Sequence, residues 1–126
     1  MANETRKILH APDVALSATC VRIPTFFGHA MSVWAEFEKP VSPAEARGLM
    51  GSAPGIRLMD DPAGELYPTP LDVAGTDEVL VGRLRADSSL AGGITFWTVT
   101  DSIRKGAATN VVQIIEEAGR RGLIRR

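Results

Sequence analysis

Two runs on either side of Gly28 and His29 alternate apolar and polar side chains with a period of two, and this feature restricts the fold most. Such alternation is typical of β-strands, in which successive side chains point to opposite faces of a sheet. It predicts one strand over residues 19–27 and a second over residues 30–38, with a bend between them. Pro24 has no backbone N–H, so we expect the first strand at a sheet edge or with a bulge.

The rest of the chain mixes helix and strand signals. Ser42, Pro43 and Glu45 fit the N-cap, first and third positions of a helix that runs to about Ser52. Other helices are predicted over residues 3–9 and 102–121, and other strands over residues 56–59, 78–85 and 94–100. This order predicts an α+β fold, with a mixed or antiparallel sheet and helices on one face.

Residues 60–77 contain three prolines and two glycines and predict a long irregular segment. Irregular segments of this length inside a compact domain are usually functional or covered by a partner. Edge strands and a half-polar second strand predict pairing with another subunit, and the family resemblance described below implies a homodimer, which we expect to form through the sheet and this segment.

Composition excludes several classes of protein. The length of 126 residues suits one domain, and we expect residues 1–126 to form it. The 14 lysines and arginines nearly balance the 15 aspartates and glutamates, which argues against a nucleic-acid partner or an anionic membrane. No apolar run approaches the roughly 20 residues of a membrane helix. Cys20 is the only cysteine, so no internal disulfide can form and the reducing cytoplasm is the expected compartment.

Arg22 and His29 are the main candidate functional side chains. His29 is either a bend histidine that hydrogen-bonds the backbone or a general base, since an unperturbed imidazole titrates at about pH 6.5. Arg22 is either a surface ion-pair residue or a guanidinium fork for a carboxylate or phosphate. A thiol mechanism would pair Cys20 with His29, but a cysteine in such a strand is more often a buried small hydrophobe.

Asn110 and Gln113 share one face of the last helix, opposite its apolar stripe. A helix N-terminus attracts anions, and the small residues just before Asn110 allow a ligand to approach the backbone. Spacing alone favours ordinary helix surface for both residues. No metal site is expected from the sequence.

Four stretches together resemble the C-terminal half of aspartate-semialdehyde dehydrogenase: ETRKIL, TCVRIPTFFGHAMSVWAEFEKPVS, DDPAGELYPTPLDVAGTDEVLVGRLRAD and RKGAATNVVQIIE. They occur in the family's order and cover nearly the whole chain. That family is similar in architecture to glyceraldehyde-3-phosphate dehydrogenase, with an N-terminal NADP-binding domain and a C-terminal α+β domain that binds substrate and dimerises. The resemblance implies the same C-terminal architecture and a small-molecule substrate here.

The resemblance also implies roles for individual residues. In the family's R-x-x-x-x-x-G-H pattern the arginine grips the substrate carboxylate, and Arg22 matches it. The histidine of that pattern, here His29, is the acid/base partner of a catalytic cysteine whose thiolate attacks the aldehyde. Hydride then passes to NADP, and phosphate releases aspartyl phosphate, a reaction of lysine, threonine and methionine biosynthesis. The family's K-G-A-A-x-N-x-x-Q helix reaches the nicotinamide end of NADP, which implies Asn110 and Gln113.

The family's nucleophilic cysteine and glycine-rich nucleotide loop have no match in this chain, and Cys20 matches a different position. We therefore expect a fragment or the product of a split gene, without the N-terminal NADP-binding domain and inactive alone. One alternative is a half-enzyme that works with an N-terminal half on another chain. A second is a stand-alone dimerisation or ligand-binding domain without catalysis. A third is a thiol enzyme built on Cys20 and His29.

Overall fold

A computed structural model describes residues 1–124, and its centre is a four-stranded sheet. The strands are β1 (His29–Ala35), β2 (Ile56–Leu58), β3 (Val79–Ala86) and β4 (Ile94–Thr100). Their order across the sheet is β1-β4-β3-β2. The β1–β4 and β4–β3 pairs are antiparallel and the β2–β3 pair is parallel, which confirms the predicted mixed sheet in an α+β fold.

The helices are α1 (Ala2–Ile8), α2 (Pro43–Ser52) and α3 (Thr109–Arg120), and a π-helical turn (Arg104–Ala108) leads directly into α3. The predicted start of α2 is confirmed, because Ser42 and Glu45 form a reciprocal capping box. The last helix was predicted from residue 102, whereas its first turn is the wider π turn. Within residues 1–124 no helix is long and apolar enough to cross a membrane.

Each face of the sheet carries a small apolar core. On one face, Ala46 of α2 packs with Leu84 and Ile94. On the other face, Val73 packs with Leu80 and Val99. Because strand side chains alternate between faces, the same strands supply both cores. The helix α2 thus covers one face, and the irregular segment of residues 60–77 covers the other.

The segment of residues 60–77 is held on the sheet by a backbone hydrogen bond as well as by the packing of Val73. The indole Nε1 of Trp97 donates a hydrogen bond of 3.0 Å to the carbonyl oxygen of Pro68. A methyl group on Gly82 would overlap the carbonyl oxygen of Met59 and lie 2.5 Å from Cδ of Pro68. Glycine at position 82 therefore lets the segment lie directly on the sheet backbone.

The predicted strand over residues 19–27 is wrong, since this stretch forms neither helix nor strand. A period-two pattern states only which side chains would share a face, and a strand also needs a neighbouring backbone to bond. Val21 and Ile23 are exposed, so no packing compensates for the missing ladder. Cys20 is exposed as well, which contradicts its expected burial.

Candidate functional site

His29 is the first residue of β1 and follows Gly28, whose φ of 83° lies in the left-handed region. A side chain on Gly28 would be strained there, and it would also meet Pro70 and Val73. The predicted bend before His29 is therefore confirmed. In the sheet register His29 lies opposite Thr100, the last residue of β4. His29 is exposed, and its neighbour Gly28 lies against the segment of residues 60–77.

The π turn lies beside His29. Its hydrogen bonds span five residues: the N–H of Gly106 donates to the carbonyl oxygen of Asp101 at 2.8 Å, and that of Ala108 donates to Ile103 at 2.9 Å. A Cβ atom on Gly106 would lie 3.5 Å from Cδ2 of His29. The structure thus brings the imidazole against the turn that opens α3.

The carboxylate of Asp101 ties three segments together at this point. Its Oδ1 accepts hydrogen bonds of 2.8 Å from the N–H groups of Ile103 and Arg104, and its Oδ2 accepts one of 2.9 Å from Gly75. The Arg104 N–H, followed by those of Gly75 and Ile103, lowers the pKa of Asp101 from its ordinary value. Asp101 is buried, so it holds β4, the π turn and residue 75 in one arrangement.

Asp77 makes a second link between the segment of residues 60–77 and the last helix. The Arg104 guanidinium grips its carboxylate through Nε at 2.9 Å and Nη2 at 2.7 Å, and the Thr109 hydroxyl donates at 2.6 Å. The Arg104 hydrogen bonds, followed by that of Thr109, lower the pKa of Asp77 to about 2. A bidentate arginine–carboxylate pair fixes geometry as well as charge.

We predict that Asp77→Asn lowers the melting temperature by about 2–5 °C at pH 7, as expected for a partly exposed ion pair in a small domain. The folded pKa is depressed from 3.8 to about 2. The stabilisation is therefore complete above about pH 4 and is lost as the pH falls towards 2. The difference between wild type and variant should shrink over that range in thermal melts followed by circular dichroism.

Asp13→Asn is the matched control for this prediction, because Asp13 is exposed and makes no hydrogen bond or ion pair within residues 1–124. It should leave the melting temperature unchanged at every pH. A gap between Asp77→Asn and wild type that is as wide at pH 2 as at pH 7 would contradict the assignment.

Asn110 and Gln113 line one shallow groove along α3, and Lys105 lines it with them. Asn110 is exposed, whereas Gln113 is half-buried and accepts a hydrogen bond from Nζ of Lys105. Sequence analysis missed Lys105 because a separation of eight residues does not make helix neighbours. The wide π turn brings it there, and no spacing rule would have signalled that turn.

Arg22 lies in the extended segment before β1, is exposed, and makes no hydrogen bond or ion pair within residues 1–124. The structure therefore gives no polar contact between Arg22 and His29. Sγ of Cys20 lies 3.2 Å from Sδ of Met1, which is its hydrogen-bond partner.

Residues 1–124 do not fit a whole NADP molecule. The groove of Asn110 and Gln113 offers amide groups and Lys105, which suit one polar end of a ligand. A dinucleotide pyrophosphate is instead held by backbone N–H groups of a glycine-rich turn between a strand and a helix. In this chain the corresponding junction runs from β4 to the π turn and contains Asp101. The Asp101 carboxylate already accepts the backbone N–H groups of Ile103 and Arg104, so these are not available to a pyrophosphate.

Comparisons with known proteins agree with one another. Residues 1–105 match the family model described as semialdehyde dehydrogenase, dimerisation domain. An aspartate-semialdehyde dehydrogenase of Aquifex aeolicus is 51% identical over 124 residues, which cover 98% of this chain and 36% of that protein. One from Bacillus subtilis is 45% identical over 125 residues, with 98% and 36% covered.

A crystal structure of aspartate semialdehyde dehydrogenase II complexed with ASA from Vibrio cholerae gives a TM-score of 0.89 at 42% identity. The match covers 95% of this chain and 35% of that one. The fold is therefore that of an α+β dimerisation domain. The chain belongs to the semialdehyde dehydrogenase family, and it matches the C-terminal, dimerisation part of its aspartate-semialdehyde dehydrogenase relatives. It spans about a third of the length of these relatives.

Proposed function

We propose that the chain serves as the C-terminal part of an aspartate-semialdehyde dehydrogenase, the enzyme that interconverts aspartyl phosphate and aspartate semialdehyde for lysine, threonine and methionine biosynthesis. The observation that carries the proposal is the position of His29. Its imidazole is exposed at the start of β1 and lies beside a turn whose backbone is held by Asp101. An accessible imidazole is suited to general acid–base catalysis.

In this proposal His29 accepts the proton of a cysteine thiol that the N-terminal part of the enzyme supplies, and later returns a proton. Arg22 binds the substrate carboxylate through its guanidinium fork. Arg22 is exposed on an extended segment without a polar partner within residues 1–124, so its five donors are available to an anion. We also place the protein in the cytoplasm, where a single thiol stays reduced.

Asn110 and Gln113 are proposed to contact the nicotinamide end of NADP once a nucleotide-binding part completes the site. Their amide groups lie on the groove side of α3, with Lys105 holding Gln113 in place. We assign no chemical step to NADP within this chain, because residues 1–124 do not hold its phosphates.

The exposed apolar side of α3 indicates that another segment packs against this helix in the complete enzyme. Val111, Ile114 and Ile115 are each more than half exposed, and α3 has no buried residue. A helix with an apolar stripe normally buries that stripe against another element. The N-terminal part of the enzyme is the proposed cover.

The test is NADP- and phosphate-dependent oxidation of aspartate semialdehyde, measured with this chain alone and with the chain mixed with the N-terminal portion of the Aquifex relative. We expect activity in the mixture and none in the chain alone. Activity in the chain alone would overturn the proposed division of the site and return Cys20 to consideration. An inactive mixture in which the two parts bind would favour a dimerisation domain without catalysis.

A homodimer is proposed through the sheet edge at β1 and the segment of residues 60–77. Trp34 is 65% exposed on β1, and Leu71 of the segment is also exposed. Exposed aromatic and aliphatic side chains of this size are typical anchors of an interface.

Trp34→Glu should therefore convert the protein to a monomer, which sedimentation equilibrium would detect. Leu49→Glu, at an equally exposed position on α2, is the matched control and should leave the dimer intact. Dissociation by Leu49→Glu together with an intact Trp34→Glu dimer would place the interface on the opposite face of the sheet.

A further inference from the structure

Gly106 is an exposed residue of the π turn, and its backbone is crowded on the side that faces His29. A Cβ atom built there would lie 3.1 Å from the carbonyl oxygen of Asp101 and 3.5 Å from Cδ2 of His29. The first distance is shorter than an ordinary carbon–oxygen contact. The Asp101 carbonyl cannot move away freely, because it accepts the N–H of Gly106 itself at 2.8 Å.

The turn around Gly106 is held from several sides. The Asp101 carboxylate caps the N–H groups of Ile103 and Arg104, and Arg104 is gripped in turn by Asp77. The five-residue hydrogen bonds of the π turn place residue 106 towards β1, where a regular helix would have a different phase. Single π turns of this kind are often found at functional sites.

We propose that Gly106 is a positioning residue for His29: the bare backbone of the π turn forms the surface on which the imidazole rests, and that contact fixes the orientation of the ring. A Cβ atom at position 106 would press on the Asp101 carbonyl oxygen at 3.1 Å and would touch the imidazole at 3.5 Å, so the turn would have to shift beside the ring. The catalytic consequence rests on the proposed function, whereas the orientation of the ring does not.

The first test uses the chain as it is. Wild type should show a nuclear Overhauser effect between Hδ2 of His29 and the α protons of Gly106. In Gly106→Ala the His29 side-chain couplings and the midpoint of its titration should change, while the amide signals of β1 and β4 stay in place. The other histidine, His10, is the internal reference, and its side-chain signals should stay unchanged.

Gly119→Ala is the matched control, since no atom lies within 4 Å of a Cβ at position 119 in α3. It should leave His29 as in wild type. Two results would overturn the proposal: no Overhauser effect between His29 and Gly106 in wild type, or unaltered His29 couplings and titration in Gly106→Ala. The wild-type measurement decides the question even if the variant fails to fold.

The second test measures kinetics in the mixture with the N-terminal portion. Gly106→Ala should lower kcat about 10- to 100-fold with KM for the aldehyde within about twofold, and should shift the pH profile of kcat. A raised KM with unchanged kcat would overturn the positioning role. If the wild-type mixture is inactive, the proposed function fails, but the Overhauser and titration measurements still test the position of the ring.

Discussion

Replacement of His29 with asparagine should lower kcat of the mixture with the N-terminal portion by about 10²- to 10⁴-fold, the contribution typical of a positioned general acid–base. Asparagine keeps a polar side chain of similar size but cannot carry the transferred proton. It also suits the site sterically, because His29 is exposed and its backbone follows Gly28 in a regular strand. We therefore expect the thermal stability of the chain to stay within about 1 kcal/mol of wild type.

The two kinetic constants separate proton transfer from a binding effect. His29→Asn should lower kcat while KM for the aldehyde stays within about twofold of wild type. His10→Asn is the matched control: residue 10 has a φ of 52°, which asparagine tolerates well, and it lies beyond α1. Full activity in His29→Asn would contradict the proposed role of the imidazole.

The sequence predicted strands correctly where a second strand lies beside them in the sheet. Strands were predicted over residues 30–38, 78–85 and 94–100. The strands β1, β3 and β4 lie there because β4 bonds to both of the others, although residues 36–38 lie beyond the end of β1. The same alternation in residues 19–27 gave no strand, since no ladder of backbone hydrogen bonds joins it to another segment within residues 1–124. A two-residue alternation shows which side chains of one segment would share a face. Strand pairing depends on a second segment as well, and the alternation contains no information about it.

Local chemistry also identified part of the candidate site. His29 was predicted from the Gly28-His29 bend, and the bend is present. The contact between His29 and Gly106 was not predictable, because 77 residues of chain separate the two and a π turn sets the phase of residue 106. The roles of His29, Arg22, Asn110 and Gln113 in the family's reaction came from the resemblance. They stay predictions until the mixture is assayed.

The irregular segment of residues 60–77 makes long-range hydrogen bonds that residue spacing does not predict. Its prolines and glycines predict that it is neither helix nor strand, and this is confirmed. They do not predict that Asp60, at its start, would bond the backbone of the neighbouring strand β3. The Asp60 Oδ1 atom accepts the N–H of Arg83 at 2.7 Å, and its Oδ2 accepts the N–H of Leu84 at 3.2 Å.

These bonds close the irregularity in β3 between Gly82 and Arg85, where the ladder to β4 is interrupted. Arg83 has a φ of 54° there, a conformation that non-glycine residues adopt rarely. The bulge leaves backbone donors without a strand partner, and the carboxylate of Asp60 replaces that partner.

Asp60→Ala should therefore destabilise the chain by about 2–3 kcal/mol, because it removes a buried carboxylate that accepts two backbone N–H groups as well as Arg47. The Asp60 side chain is only 2% exposed and also accepts Nη2 of Arg47 at 2.6 Å. Its loss leaves the N–H groups of Arg83 and Leu84 without an acceptor, which adds the desolvation cost of unsatisfied donors. Urea unfolding followed by circular dichroism measures the difference.

Two further variants make the Asp60 result interpretable. Asp60→Asn keeps one acceptor oxygen for the bulge but loses the charge facing Arg47. We therefore expect its free energy of unfolding to lie between those of wild type and Asp60→Ala. Asp13→Ala, at an exposed position without a hydrogen bond within residues 1–124, should change stability by less than about 0.5 kcal/mol. If Asp60→Ala costs less than about 1 kcal/mol, water must satisfy the bulge, and the carboxylate is not what holds residues 60–77 on the sheet.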